Sequence, residues 1–360
     1  MKHRIVRLSL ALGVSAITAS SPFAPAASAG IPAYSLVGTF DLPTGASAFD
    51  VLPDGRVIAI IGDDIVRQSA ISGSAYEPLG SLPAGTVSSF GASFLRLSPD
   101  GSTLAVGNNT FGDGNAVHTL ALAALNTGAP TPTTSWSIPN TEAHWTDNDT
   151  LFVSGFGAQA IVSEIDLAGA TARTVIADIA GASGGITTDG TYLYTSNGFD
   201  FGPGGSDVGE VRAFRLSDIA SLAAGDALSF ETQGRAVADA LSGASLGFDS
   251  LGNLLVGGGD FFGSGDVGYA AIVDADAVAA ALGGGPIAPD SAELRLTPRL
   301  ATDSYSLRFS PATGELLITF FDNTTFAAGT TVYRYQVPAP GILIFSGVWF
   351  AFASKRRRAS

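Results

Sequence analysis

The chain has 360 residues, a formal net charge of −14, 46% hydrophobic residues, 45 glycines and no cysteine. The missing cysteines exclude disulfides, thiol chemistry and lipoprotein acylation, and the acidic balance argues against nucleic acid and anionic lipid as partners. A glycine-rich chain with this much apolar content reads as an all-β fold with a large core rather than a disordered or disulfide-stapled one.

Met1 to Arg7 is basic and is followed by the apolar run Leu8 to Ile17, and Ala27-Ser28-Ala29 offers a small-x-small cleavage site before Gly30. This is the pattern of a secretory signal peptide over residues 1–29, with Ala27 and Ala29 as its cleavage residues. The apolar run is about half the roughly 20 residues that a membrane-spanning helix needs.

From there a single pattern recurs: an apolar strand, a turn with Asp-Gly or an equivalent, and a second apolar strand. It is plainest at Gly184 to Asn197. Copies run from Phe49 to Ile61, Leu95 to Gly107, Ala143 to Gly155, Leu246 to Gly257 and Leu307 to Phe320, six in all. Glycine or asparagine supplies the positive φ that a tight hairpin asks for, so Asn148 is expected to take that conformation in the third copy. The turn positions 55, 101, 148, 190, 252 and 314 are separated by 46, 47, 42, 62 and 62 residues. A four-stranded propeller blade takes roughly 40 to 50 residues, so the first three intervals fit and the last two carry insertions. The expected fold is a six-bladed β-propeller over residues 30–336.

Tyr34 to Phe40 is an alternating strand with no partner in its own repeat, while the sixth repeat is one strand short. The mature N-terminus is therefore expected to complete blade six and close the ring. The second strand of every repeat is continuously apolar, as in Val57-Ile-Ala-Ile-Ile61, which requires cover on both faces. Ser217 to Ala224 and Asp274 to Leu282 each begin with a capping residue and read as short surface helices.

Glycine and aspartate loops are expected between second and third strands at Asn108 to Gly114, Asn197 to Asp207, Gly259 to Asp266 and Asp322 to Thr324. They should share a rim with the Gly-Ala-Ser segments entering the first strands at 45–47, 91–93, 181–185 and 243–245. Asp50, Asn109, Asp113, Asn197, Asp200, Asp207, Asp249, Asp260 and Asp266 are the oxygen-bearing residues assigned to that mouth, of the kind calcium takes. Asp, Asn and Gly also simply make turns, and no EF-hand spacing or nonapeptide calcium repeat is present. Once the leader is removed, only His118 and His144 remain as histidines. No Gly-x-Ser-x-Gly elbow and no phosphate loop occurs.

The chain ends in Val337-Pro-Ala-Pro-Gly341, the apolar run Ile342 to Ser354 and Lys355-Arg-Arg-Arg358. At about 1.5 Å per residue the apolar run is a short membrane helix, and the arginines should keep its end in the cytoplasm. Removing seven cations at the two termini leaves 11 basic residues against 32 acidic ones, a core charge near −21.

Residues 337–360 resemble the PEP-CTERM sorting signal of Gram-negative bacteria. The resemblance implies that Val337, Pro338 and Pro340 are read by a membrane-embedded exosortase and that Arg356, Arg357 and Arg358 form the basic stop. It further implies an inner-membrane intermediate, delivery to the surface or exterior, and an association with exopolysaccharide or biofilm matrix. Ala339 stands where that motif more commonly has glutamate. Two functional classes follow: a non-enzymatic propeller that binds matrix polysaccharide or surface proteins, or a calcium-dependent propeller hydrolase or lactonase with metal at the mouth.

Overall fold

A computed structural model describes residues 34–108, 114–199, 209–239, 243–258, 269–287, 303–322, 327–328 and 330–337. The chain divides into Met1–Ile31 and Pro32–Ser360, and the second unit holds every described residue. Among these residues no helix is long and apolar enough to cross a membrane.

The described strands form six sheets, antiparallel except for one short strand, arranged as blades. After β1 (Ser35–Asp41), blade one comprises β2 (Ala46–Val51), β3 (Val57–Ile61), β4 (Asp64–Gln68) and β5 (Tyr76–Ser81). Blade two comprises β6 (Ala92–Leu97), β7 (Thr103–Asn108), β8 (Ala116–Ala121) and β9 (Thr134–Trp136). Blade three follows with β10 (Glu142–Trp145), β11 (Thr150–Phe156), β12 (Ala160–Asp166) and β13 (Thr171–Ile179).

Blade four holds β14 (Ala182–Thr188), β15 (Tyr192–Phe199) and β16 (Glu210–Arg215), then α1 (Leu216–Ala220). Next come β17 (Leu228–Ser229), which joins blade three parallel to β13, α2 (Phe230–Gln233), and β18 (Arg235–Asp239), which completes blade four. Blade five has β19 (Gly243–Phe248), β20 (Leu254–Gly258) and β21 (Tyr269–Val273), followed by α3 (Ala275–Leu282). Blade six has β22 (Asp303–Ser310), β23 (Glu315–Asp322), β24 (Ala327–Ala328) and β25 (Thr331–Gln336).

The N-terminal strand closes the ring as the strand count requires. β1 pairs antiparallel with β25 from Ser35↔Gln336 to Asp41↔Thr331, with a bulge between Leu36 and Gly38. The inner strands β2, β6, β10, β14, β19 and β22 follow one another around the axis.

The core lies between blades. Ile58, Ile60, Leu95, Leu104 and Val106 pack blade one on blade two, and Tyr194, Val211, Leu254 and Val256 pack blade four on blade five. Each fully covered aliphatic side chain contributes about 1.5–3 kcal/mol, so the continuously apolar second strands account for much of the cohesion.

Turn glycines Gly55, Gly101, Gly190, Gly252 and Gly314 all have positive φ. At Gly101, with φ +72°, a Cβ would also sit 2.8 Å from Cγ of Pro53 in the neighbouring blade. The third turn corrects the expectation for Asn148, which is not left-handed. The Asp147 carboxylate instead accepts the amides of Asp149 (2.8 Å) and Thr150 (2.7 Å), which holds this turn without a positive φ. Asn148 turns outward, and its side-chain oxygen accepts the amide of Asp100 in blade two at 3.0 Å.

Helix α3 is capped by Asp274, which accepts from the amides of Asp276 and Ala277. Ser217 does not cap α1, whose N-cap position is held by Arg215 without a side-chain bond. Helix α2 was not foreseen; Phe230 buries itself there against Phe214 at 6.1 Å between centroids.

Candidate channel site

Strand direction gives the ring two unlike faces. First strands enter and second strands leave on one face, as the pairings Ala46↔Ile61, Ala92↔Asn108, Ser183↔Asn197 and Gly243↔Gly258 show. The second strands β7, β15 and β20 end, and the third strands β8, β16 and β21 begin, on that same face. Asn109, Asp113, Asp200, Asp207, Asp260 and Asp266 lie outside the described residues. Asn197 is described: its Oδ1 accepts the amide of Glu210 at 2.7 Å and so joins β15 to β16 at the base of its loop.

Asp50 and Asp249 are corrections to the expected mouth. Asp50 is next to last on β2, towards the Asp54-Gly55 turn, and Asp249 lies in the β19–β20 turn itself, so both belong to the opposite face. The Asp249 carboxylate is fully committed: it accepts the Tyr34 phenol, the Asn253 side chain (3.0 Å) and the amides of Leu251 (2.8 Å) and Asn253 (3.0 Å). An acceptor with four donors in place has no lone pair to offer a cation. Among the described residues no group of three or more His, Asp or Glu side chains is placed to hold a metal ion.

The serines of the Gly-Ala-Ser segments stitch blades together. Ser47 Oγ accepts the amide of Ala92 (2.9 Å), Ser93 bonds Asn140 (2.6 Å) and Ser245 accepts the amide of Leu307 (3.1 Å).

Charge gathers in the bore. By strand register Asp50, Arg96, His144, Thr187, Gly247 and Arg308 are equivalent inner-strand residues near the hairpin end, facing Ile58, Ala105, Phe152, Tyr194, Leu255 and Leu317 on the second strands. One layer nearer the mouth stands Glu142 of blade three. Its Oε1 is held by Arg96 of blade two, and its Oε2 by Arg308 of blade six at 2.9 Å. Blades three and six are opposite in a ring of six, so the Arg308–Glu142 pair spans the bore and plugs it.

Both guanidinium groups are further tied to the walls. Arg96 donates to the carbonyls of Ala143 (3.1 Å), Phe49 (3.3 Å) and Leu95, and Arg308 to Ser245 Oγ (3.3 Å) and the Leu307 carbonyl. Trp145 Nε1 donates to the Arg96 carbonyl at 3.2 Å.

Burial pushes the carboxyl of Glu142 upward, against the opposing pull of Arg96. Burial likewise raises Asp50, opposed by the Arg96 charge and by the amides of Leu97 (2.7 Å) and Val51 (2.9 Å). His144 falls to about 4, first from burial and then from the nearby Arg96 charge, and so stays neutral at ordinary pH. The constellation can hold a fixed field in the bore; the Glu142 carboxylate is taken by two arginines and that of Asp50 by two backbone amides.

The plug was not foreseen from the sequence. A signal for it exists: Leu95-Arg96-Leu97-Ser98-Pro99 and Leu307-Arg308-Phe309-Ser310-Pro311 repeat an arginine at one position of an inner strand.

At the chain's other end Val337 is buried and donates its amide to the Gly314 carbonyl at 3.1 Å, so the hydrogen-bonded ring runs one residue past position 336. Pro338, Pro340, Arg356, Arg357 and Arg358, and Ala27 and Ala29 of the leader, lie outside the described residues.

No protein-family model and no curated protein sequence matches the chain. Among solved structures it is similar to the hydrazine synthase of Kuenenia stuttgartiensis, with 14% identity and a TM-score of 0.47 over 81% of this chain and 84% of that one. It is also similar to a gluconolactonase from Xanthomonas campestris, with 14% identity and a TM-score of 0.47 over 83% of this chain and 88% of that one.

Proposed function

We propose that this chain is an exported propeller, sorted by an exosortase-type enzyme through residues 337–360, which binds a polar extracellular ligand such as matrix exopolysaccharide or a surface protein without turning it over. The observation that carries the non-catalytic part is the double engagement of Glu142. Among the described residues, the Glu142 carboxylate at the axis is held by Arg96 and Arg308 and so is not free to act as an acid or base on a substrate. The sorting part rests on the leader and on the order of Val-Pro-Ala-Pro, apolar run and arginines.

A second reading is a calcium-dependent hydrolase or lactonase with Asn197, Asp200, Asp207, Asp260 and Asp266 on one rim. Strand polarity is compatible with it to this extent: β15 and β20, the strands before those residues, end on the face where Asn197 stands. Its metal set would exclude Asp50 and Asp249.

One experiment separates the two. The purified protein is assayed for δ-gluconolactone hydrolysis and for retention on exopolysaccharide from its host, with calcium and with EDTA. Retention without turnover, unmoved by EDTA, supports the first reading. EDTA-sensitive turnover that is lost in Asp200→Ala replaces it with the second. Sorting is tested by mass spectrometry of the surface form, where an intact Arg356 to Ser360 end would refute processing.

A further inference from the structure

The turns that join first to second strands lie on the face opposite the one where the second strands end. On that face, between the turns of blades four and five, α3 bounds a cavity of ≈ 400 Å³. Sites for small ligands begin at about this size. Asp189 and Tyr194 of blade four and Phe248 and Asp249 of blade five form one side of it.

Two tyrosine–carboxylate pairs build that side. Tyr194 donates its phenol to Asp189 Oδ2 at 2.7 Å, and Tyr34 donates to Asp249. Asp189 Oδ1 also accepts the amides of Thr191 and Tyr192, both at 2.7 Å, while Asp249 is filled by its four donors. Among the described residues neither carboxylate is in an ion pair. Arg215, on the neighbouring strand, is instead stacked on the Tyr192 ring at 5.0 Å.

The remaining walls are apolar. Tyr194 and Phe248 meet at 5.0 Å between centroids with their planes 71° apart, which makes an aromatic corner. Aromatic faces carry negative charge density, and a phenol that donates to a carboxylate has a more electron-rich ring. Across from them stand Ala275, Val278, Ala279 and Leu282, spaced so that they share one face of α3. Asn253 fixes that helix in place: its Oδ1 accepts the Ala275 amide at 3.1 Å and its Nδ2 donates to Asp249 at 3.0 Å.

We infer that this cavity binds a quaternary ammonium group, of the kind choline carries. A metal ion needs carboxylate lone pairs, and a primary amine needs acceptors for its protons; Asp189 and Asp249 have already committed theirs. A trimethylammonium head donates no hydrogen bond. It is held by charge, by aromatic faces and by dispersion against aliphatic walls, all of which this cavity supplies. An anion would be repelled by the two carboxylates. The site lies on the face opposite the polysaccharide contact proposed above and does not depend on it.

The test is an NMR titration of the full-length protein that follows the methyl resonance of choline. Two probes accompany it: 3,3-dimethylbutan-1-ol, which has the shape of choline without its charge, and ammonium as a competitor, which has the charge without the methyl groups. Choline is expected to bind with a Kd of about 1 mM or tighter, and each of the other two at least about tenfold more weakly. Asp189→Asn keeps an acceptor for the two amides and removes the charge, whereas Ala279→Leu narrows the cavity from an exposed position and leaves the charge alone. Each should weaken choline by about fivefold or more, with the thermal midpoint as the check that the ring is intact.

No choline binding at about 10 mM overturns the inference. Equal binding of the neutral alcohol overturns it in favour of a merely apolar hollow, and equal competition by ammonium in favour of acidity alone. Choline binding that survives in both folded variants places the site elsewhere and overturns it too. Co-sedimentation with phosphatidylcholine vesicles identifies the source of the group once choline binds: retention that free choline displaces assigns it to a lipid headgroup, and no retention assigns it to a free solute.

Discussion

The phenol of Tyr34 donates to the carboxylate of Asp249, 215 residues further along the chain and in a different blade. Tyr34 immediately precedes the strand that closes blade six, while Asp249 sits in the turn of blade five, so the bond clamps the seam of the ring to its neighbour. Burial and the facing carboxylate both raise the Tyr34 hydroxyl, which stays protonated and donating at any physiological pH.

Tyr34→Phe should therefore lower unfolding stability by about 1–2 kcal/mol, the usual cost of depriving a buried acceptor of one donor. Asp249→Ala should cost more, because Asn253 and two amides lose their acceptor as well. Both losses should be the same with calcium and with EDTA in urea titrations. A calcium-dependent difference at Asp249 would mean that the carboxylate serves a metal after all.

The Arg96–Glu142–Arg308 plug makes a sharper prediction. Removing the negative member leaves two buried guanidinium groups facing each other, and breaking a buried ion cluster in this way costs about 3–5 kcal/mol. Glu142→Gln should fall in that range, whereas Glu77→Gln at the surface should change stability by less than about 1 kcal/mol. Equal effects from the two substitutions would show that the plug is not under load.

Much of the ring was legible in the chain because its signals are local. Gly55, Gly101, Gly190, Gly252 and Gly314 mark hairpins by a steric requirement that acts within a few residues, and the apolar second strands beside them can be read without knowing the fold. Blade six closing on Tyr34 to Phe40 followed from counting strands. The plug was illegible because Arg96, Glu142 and Arg308 are drawn from three repeats, and an isolated charge on a strand ordinarily means solvent. Asp50 and Asp249 were placed on the wrong face for a different reason. Both types suit a ligand site, but Asp249 precedes Gly252 in one turn, and strand polarity already put that turn opposite the Gly/Asp loops.

Asn148 distinguishes the third turn from the others in a measurable way. If it stood in for a left-handed glycine, Asn148→Gly would relieve strain and stabilise the protein by up to about 1 kcal/mol. Since Asn148 is not left-handed and its side chain accepts the Asp100 amide, glycine should instead destabilise by about 0.5–1.5 kcal/mol through the lost inter-blade bond. Asn148→Ala should do the same. Chemical denaturation of the two variants checks the sign, and a stabilised glycine variant would return the turn to the conformation expected from sequence.

His144 gives the bore a pH dependence whose direction can be worked out. Its value drops from 6.5 to about 4 in the folded ring because burial and then Arg96 disfavour the imidazolium. The unfolded chain thus takes up a proton near 6.5 that the native protein refuses until about 4. Stability from this residue is fully present above the unfolded value and is lost as pH falls through that window, with a total on the order of 3 kcal/mol. His144→Gln cannot titrate, so the stability gap between wild type and variant should narrow or reverse between pH 7 and about 4.5. Parallel stability curves for the two proteins over that range would show that the imidazole is solvated and that the bore is open to water at this layer.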